Sequence, residues 1–381
     1  MDQAAYLDLL RTVCSLVGYA VRQEVPDTSL LDGVDPQSLL DVADKHTLGA
    51  AAAMALQSAG VSSSQVYQEA MRGVWKAAQL EADWTPVREE LESAGIWYCP
   101  LKGAVLKDVY PVVGMRQMAD YDVLVDSDRT ADVRAIMERL GFSCENFGRG
   151  NHDVYFKLPV TNFEIHHRLF GGDQNPRIIE YYQSVKDRLI KDPDNGFGWH
   201  MSATDCYLYV VAHAYKHFTV GGTGLRTPLD VYVYLRECAD EIDWGQVGAD
   251  LGDMGIADFE ERLRTLAQHL FVPGGATSLS SDEDELFAYL ASSCTYGTLL
   301  HKVENELKEK GDGVRGKLAY LVERLFPSHE KCLRVYPFYK NRLMYPAVIV
   351  YRLGRALTTR RKRVTSELRV LGRICNEGKG S

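Results

Sequence analysis

The chain has 381 residues, of which 46 % are hydrophobic and 25 % charged, and a net charge of −9. These values exclude a wholly disordered chain, a collagen-like fibre and a disulfide-stapled miniprotein, and the length allows two domains with buried cores. The charge is uneven: residues 331–381 carry 13 Lys and Arg against two acids, and the rest carry 30 against 50. A basic tail on an acidic body is a candidate contact for nucleic acid, an anionic membrane or the body itself.

The first residues, Met1-Asp-Gln-Ala-Ala-Tyr6, lack the basic start and apolar stretch of a secretory signal. No run of about 18 apolar residues is present, so no membrane span is expected. The eight cysteines are scattered from Cys14 to Cys375 without a C-x-x-C pair. That spacing argues against a structural zinc site, and free thiols fit a cytoplasmic protein.

In chain order, residues 1–94 read as helical. Leu39, Leu40, Val42 and Ala43 open an apolar face that continues through Ala50–Ala53, with Gly60 as a stop. A long helix is expected from Gln65 to Ser93, with Pro86 as a kink or restart. The pattern then changes. Residues 96–101 form a short strand-like run, 104–109 a helical turn, and 121–125 a second strand. Thr130–Leu140 has helical spacing, and Gly141 suits the position just past a helix end. Residues 153–158 and 162–169 are two further strands separated by Pro159. The order β-α-β-α-β-β predicts a small mixed-sheet α/β core over 95–170. Beyond it, 171–330 reads as a helical domain. There Ser202-Ala-Thr-Asp205 caps a helix through His217, Pro228–Cys238 is a helix, and 243–271, 282–310 and 313–325 have helical spacing. Residues 331–381 form the basic helical tail. The fold class is therefore α+β, a small sheet domain flanked by helical regions.

Asp120-Tyr121-Asp122 is the motif with the most chemical content. On a strand, residues i and i+2 share a face at roughly 6–7 Å. Two carboxylates held that way repel, and a hard divalent cation, Mg²⁺ or Mn²⁺, relieves the repulsion and can bridge a nucleoside triphosphate. Leu101-Lys102-Gly103 lies upstream, where a glycine after a strand lets a phosphate approach the backbone. Glu164 is a third acid, flanked by Phe163 and Ile165, so that Glu164 and His166 share one strand face and His167 points the other way. If that strand neighbours the Asp-x-Asp strand, three carboxylates converge as a two-metal phosphoryl or nucleotidyl transfer site requires.

Pro100-Leu-Lys-Gly103, Gly114-Met-Arg116, Asp120-Tyr-Asp122-Val-Leu-Val125, Gly141-Phe142 and Glu164-Ile-His166 together resemble the uncharacterised nucleotidyltransferase family of the DNA polymerase β-like nucleotidyltransferase superfamily. The resemblance covers roughly residues 35–240. It implies that Asp120 and Asp122 are the metal-binding acids, that Glu164 is the third acid beside the attacking hydroxyl, and that Gly103 lies under the triphosphate. Ala104 stands where a serine often donates to phosphate, the gap from Gly103 to Asp120 is long, and the third acid is Glu rather than Asp. Lys102 is then a candidate for the missing phosphate contact.

Arg116, four residues before Asp120, has a planar fork suited to phosphate, or else makes a surface salt bridge. His166 is placed with the nucleotide-binding residues. His213-Ala-Tyr-Lys-His217 sets two imidazoles one helical turn apart, and Ala214 rules out the zinc-protease pattern. His213, Lys216 and His217 either pack against the α/β core or line the cleft, with Asp230 as a partner for one of them. The implied activity is transfer of a nucleoside monophosphate from an NTP to an unknown acceptor hydroxyl on a small molecule, protein or RNA. The alternative is a catalytically degenerate fold acting as a nucleotide sensor or protein-interaction module.

Overall fold

The computed structural model describes residues 2–295 except 146, 149 and 173, scattered positions between 302 and 339, and 340–357. The basic run at 359–363 and most of the helical spacing expected over 296–325 lie outside the described residues. The described residues up to 216, together with 224–295, form one compact unit. Residues 217–223 group with the described residues beyond 295 in a second.

The first unit begins with helices α1 (Gln3–Val21), α2 (Pro36–Asp44), α3 (Gly49–Ser58) and α4 (Ser64–Ser93). Of the described helices, α1 is long and apolar enough to cross a membrane. Here Leu10, Val13, Leu16 and Val17 are fully buried, and Gly18 lies so close to the Phe271 carbonyl that an added Cβ would fall 2.0 Å from its oxygen. The expected single apolar face from Leu39 through Ala53 is instead two helices. Thr47, at φ 54°, breaks the chain between them. Helix α4 starts with the Ser63 side chain accepting from Val66 N, and it runs through Pro86 without interruption.

The sheet follows, in the order β1 (Tyr98–Leu101), α5 (Gly103–Leu106), β2 (Tyr121–Val125), α6 (Thr130–Arg139), β3 (Ser143–Glu145), β4 (His152–Lys157) and β5 (Thr161–His166). Its spatial order is β1-β2-β5-β4-β3. β2 and β5 run parallel and the other neighbours antiparallel. β3 is a short edge strand whose residues 143 and 145 are exposed, which left no apolar run to predict it from. β5 stops at His166 rather than Leu169.

Strand alternation divides the side chains between two faces. Tyr121, Val123, Val125, Phe163 and Ile165 pack with Trp84, Val87 and Leu91 of α4 and with Val133, Ile136 and Met137 of α6. Trp84 stacks on Tyr121 at 5.1 Å and meets Tyr98 edge-on at 5.5 Å. On the other face, Cys99, Leu101 and Leu124 pack in a cluster with α7 (Pro176–Tyr182), α8 (Ala203–Val220), α9 (Arg226–Cys238), α10 (Trp244–Met254) and α11 (Ala257–Leu270). Ser202 Oγ caps α8 by accepting from Asp205 N at 3.0 Å. The helical spacing over 243–271 resolves into α10 and α11 because Gly255 is left-handed at φ 69°. Helix α12 (Ser281–Ser293) closes the unit with a capping box between Ser280 and Glu283.

In the second unit, the Asn305 amide donates to the carbonyls of Phe218 and Thr219. Cys332, Tyr336, Tyr339 and Val348 form a small buried cluster beside the helix Tyr345–Leu357.

Candidate active site

The site grows out of the sheet face that meets the α7–α11 layer. Parallel pairing of β2 with β5 sets Asp122 beside Glu164 and Leu124 beside His166, and residues in register on neighbouring strands share a face. Asp120 precedes β2 and joins them. Carboxylate oxygens of Asp120, Asp122 and Glu164 all lie within 4.8 Å of one another. On the other side of β2, Leu101 of β1 is in register with Asp122. The next residue, Lys102, therefore emerges beside the acids. Its backbone sits at φ 45°, where a side chain is strained. Its ammonium donates to Asp122 Oδ1 at 2.5 Å and lies 4.0 Å from Glu164 Oε2. His166, 1 % exposed, brings Nε2 to 2.7 Å from Asp122 Oδ1 and 3.6 Å from Glu164 Oε2.

The electrostatics follow from burial and crowding. Burial pushes the Asp120 carboxyl up to about 6, and repulsion from Asp122 and Glu164 adds to it. Burial works on Asp122 in the same direction, but Lys102 and His166 overcome it and hold that carboxyl below the usual range. Glu164 is also held low: burial and Asp122 are outweighed by nearby His166, Lys102 and His152. Burial opposes the charge on Lys102, and Asp122 and Glu164 restore it. Lys102 is thus the lysine bonded to Asp122. Converging hard oxygens with surplus negative charge fit a divalent cation of the Mg²⁺ or Mn²⁺ class, and Asp120, Asp122 and Glu164 are the residues that could hold it.

The remaining predicted residues are placed as follows. Gly103 opens α5, and a Cβ there would meet Arg116 Nη1 at 2.7 Å, so the glycine makes room for the arginine. The Ala104 side chain belongs to the apolar layer on the α4 side of the sheet. Arg116 makes a buried salt bridge rather than a surface one. It is 7 % exposed, and its Nε and Nη2 donate to Asp230 Oδ1 and Oδ2 at 2.8 and 2.9 Å. Tyr110 Oη completes that group by donating to Asp230 Oδ1 at 2.7 Å. Asp230, expected to partner the histidines or lysine of α8, is therefore committed to Arg116 and Tyr110. Lys216 lies within electrostatic reach of Lys102, Glu164 and Asp122, and burial followed by repulsion from Lys102 lowers its pKa. His213 is one turn before it, with its ring 6.1 Å from that of Tyr209. His217 belongs to the second unit, where its carbonyl accepts from Gly221 N and Gly222 N. His167 leaves the site and bonds the Gly150 carbonyl at 2.8 Å.

Four further residues border the acids. Arg226, the first residue of α9, donates to the Gln117 carbonyl at 3.1 Å. Burial and repulsion from Arg116 lower its pKa, while Asp230 and Asp120 support its charge. Lys76 of α4 donates to the Val160 carbonyl, and burial lowers its pKa against the attraction of Asp120. Tyr209 of α8 has a buried hydroxyl without a hydrogen-bond partner, and after burial the charges of Asp122 and Glu164 raise its pKa. His152 of β4 brings Nε2 to 3.7 Å from Glu164 Oε2. Arg226 stands one helical turn before Asp230, a spacing visible in the sequence. Lys76 and His152 carried no local signal, because each reaches the acids only through packing of distant segments.

No curated protein and no solved structure matches the chain. A family model does: it spans residues 32–272, from α2 through the whole sheet to the end of α11. By that match, which covers both the acid cluster and the helices around it, the chain belongs to the uncharacterised nucleotidyltransferase family.

Proposed function

We propose that the protein is a metal-dependent nucleotidyltransferase of the DNA polymerase β-like kind, transferring a nucleoside monophosphate from an NTP to an acceptor hydroxyl. The observation that carries this reading is the convergence of Asp120, Asp122 and Glu164 within 4.8 Å on one sheet face, next to the Lys102-Gly103 turn. Asp120 and Asp122 would hold Mg²⁺ or Mn²⁺, with Glu164 as third ligand. The bound ion supplies charge neutralisation at the phosphates and lowers the pKa of the attacking hydroxyl. Glu164, 22 % exposed, is open to an incoming group and accepts the hydroxyl proton. The acceptor oxygen forms a bond to the α-phosphorus, the bond from that phosphorus to the β-phosphate oxygen breaks, and pyrophosphate leaves. Lys216, Arg226 and Lys76 bring positive charge to the same acids and are the phosphate-facing cations of this reading. The seven described cysteines are free thiols, which supports a reducing compartment such as the cytoplasm.

Two observations favour a second reading, a nucleotide-sensing or interaction module without turnover. The fork of Arg116 is filled by Asp230, and the Ala104 side chain points into the apolar layer. Calorimetry with ATP, GTP, CTP and UTP in Mg²⁺ or Mn²⁺ tests the site. Metal-dependent binding of one NTP by the wild type, abolished in Asp120→Asn/Asp122→Asn, is expected. A wild-type protein that binds none of the four would overturn the transferase reading.

A further inference from the structure

A second donor set lies beside the three acids. β4 and β5 are antiparallel, and His152 is directly opposite His166, so both rings stand on the face that carries Glu164. The ring centroids are 4.9 Å apart. Ligand atoms of His152, Glu164 and His166 all lie within 4.8 Å of one another. Glu164 Oε2 is 3.7 Å from His152 Nε2 and 3.6 Å from His166 Nε2, and the latter is 2.7 Å from Asp122 Oδ1. Two ligands of a tetrahedral ion with bonds of ~2.0–2.2 Å are separated by roughly 3.3–3.6 Å. Each of the two nitrogens therefore stands about one coordination-polyhedron edge from the carboxylate oxygen.

The other nitrogen of each ring is left without a partner. Nδ1 of His152 and Nδ1 of His166 are buried without a hydrogen-bond partner, and His152 Nε2 is beyond hydrogen-bond distance of Glu164. A buried ring nitrogen without a partner is uncommon. Lys102 bonds Asp122 directly, while Lys216, Arg226 and Lys76 act on the acids by charge.

We propose that His152, His166 and Glu164 form a mixed nitrogen–oxygen site for a borderline transition ion of the Zn²⁺ or Co²⁺ class, distinct from the all-oxygen set but sharing Glu164 with it. Imidazole nitrogen favours these ions over Mg²⁺. Lys102, 4.0 Å from the shared carboxylate, opposes the ion by its charge.

The test uses the full chain, stripped with chelator and titrated with Co²⁺ while the visible ligand-field absorption is recorded. The expected result is one equivalent bound with an absorption that Zn²⁺ displaces and millimolar Mg²⁺ does not. His152→Ala is expected to weaken Co²⁺ at least tenfold, while Asp120→Asn keeps the absorption. His152→Asn serves as a second variant of closer volume, and circular dichroism of each variant verifies the fold. Co²⁺ binding unchanged in both His152 variants would overturn the proposal. So would an absorption lost in Asp120→Asn and kept in His152→Ala, which places the ion among the three acids. Because the probe is Co²⁺ without nucleotide, a wild type that takes up Co²⁺ through His152 but binds no NTP would sink the transferase reading and leave this site standing.

Discussion

The same strands make both faces of the sheet, and the faces obey different physics. Toward α4 and α6, β2 and β5 present Tyr121, Val123, Val125, Phe163 and Ile165 to Trp84, an aromatic and aliphatic layer. Toward α8, the alternate positions present Asp122, Glu164 and His166, with Lys102 and Asp120 at the strand ends. The first face gains ~1.5–3 kcal/mol for each large side chain fully withdrawn from water. The second holds charges in a setting where each desolvated ion costs several kcal/mol unless it is paired. One face thus supplies the stability that lets the other keep a crowded, reactive set of acids.

Substitutions on the two faces should separate stability from chemistry. The largest effect is expected at Glu164. If it accepts the acceptor proton, Glu164→Gln lowers kcat by ~10²–10⁴ with little change in thermal midpoint. A variant with wild-type kcat would remove Glu164 from that role. On the opposite face, Trp84→Ala should reduce unfolding free energy by ~3–5 kcal/mol in a urea titration, because it empties the centre of the aromatic layer. A loss below about 1 kcal/mol would mean that this layer does not anchor the sheet.

The buried ion pair beside the site is the next test. Asp230→Ala strands the Arg116 guanidinium and should cost ~3–5 kcal/mol, whereas Arg116→Met/Asp230→Leu should recover most of that loss. Urea midpoints of the three proteins decide it, and equal losses for the single and double variants would contradict the pairing. The smallest and most diagnostic effect concerns Asp120. In the metal-free protein its carboxyl titrates near 6, above the ordinary value of 3.8. The folded state then holds more protons than the unfolded state between those values, so stability falls as pH rises through that window. Asp120→Asn should therefore stabilise the chelator-treated protein by roughly 1–3 kcal/mol above pH 6. The same substitution should abolish metal-dependent NTP binding. A destabilised Asp120→Asn at pH 7.5 would show that the acids are not crowded.

Much of the site was legible because alternation is local. Phe163-Glu164-Ile165-His166 states its two faces without reference to the rest of the chain, as does Tyr121-Asp122-Val123. Ser202 marks a helix start for the same reason: the bond it makes spans three residues. The partner of Arg116 was not legible because Asp230 is 114 residues away, and a guanidinium has the same appearance in sequence whether it awaits phosphate or already holds a carboxylate. The split of residues 243–271 was missed because a single glycine within helical spacing signals a left-handed stop only once φ is known.

By itself, the sequence determined which residues could work together: the strand periods, the caps, and the assignment of each acid to one side of its strand. The sheet order β1-β2-β5-β4-β3 decided which of them do. Parallel pairing of β2 with β5 brought Glu164 to Asp122, and antiparallel pairing of β4 with β5 brought His152 to His166. Packing of α4 and α9 carried Lys76 and Arg226 to the same acids. Side-chain direction is fixed by backbone geometry within a few residues. Partner choice is fixed by burying the apolar faces of segments far apart in the chain, which no local pattern contains.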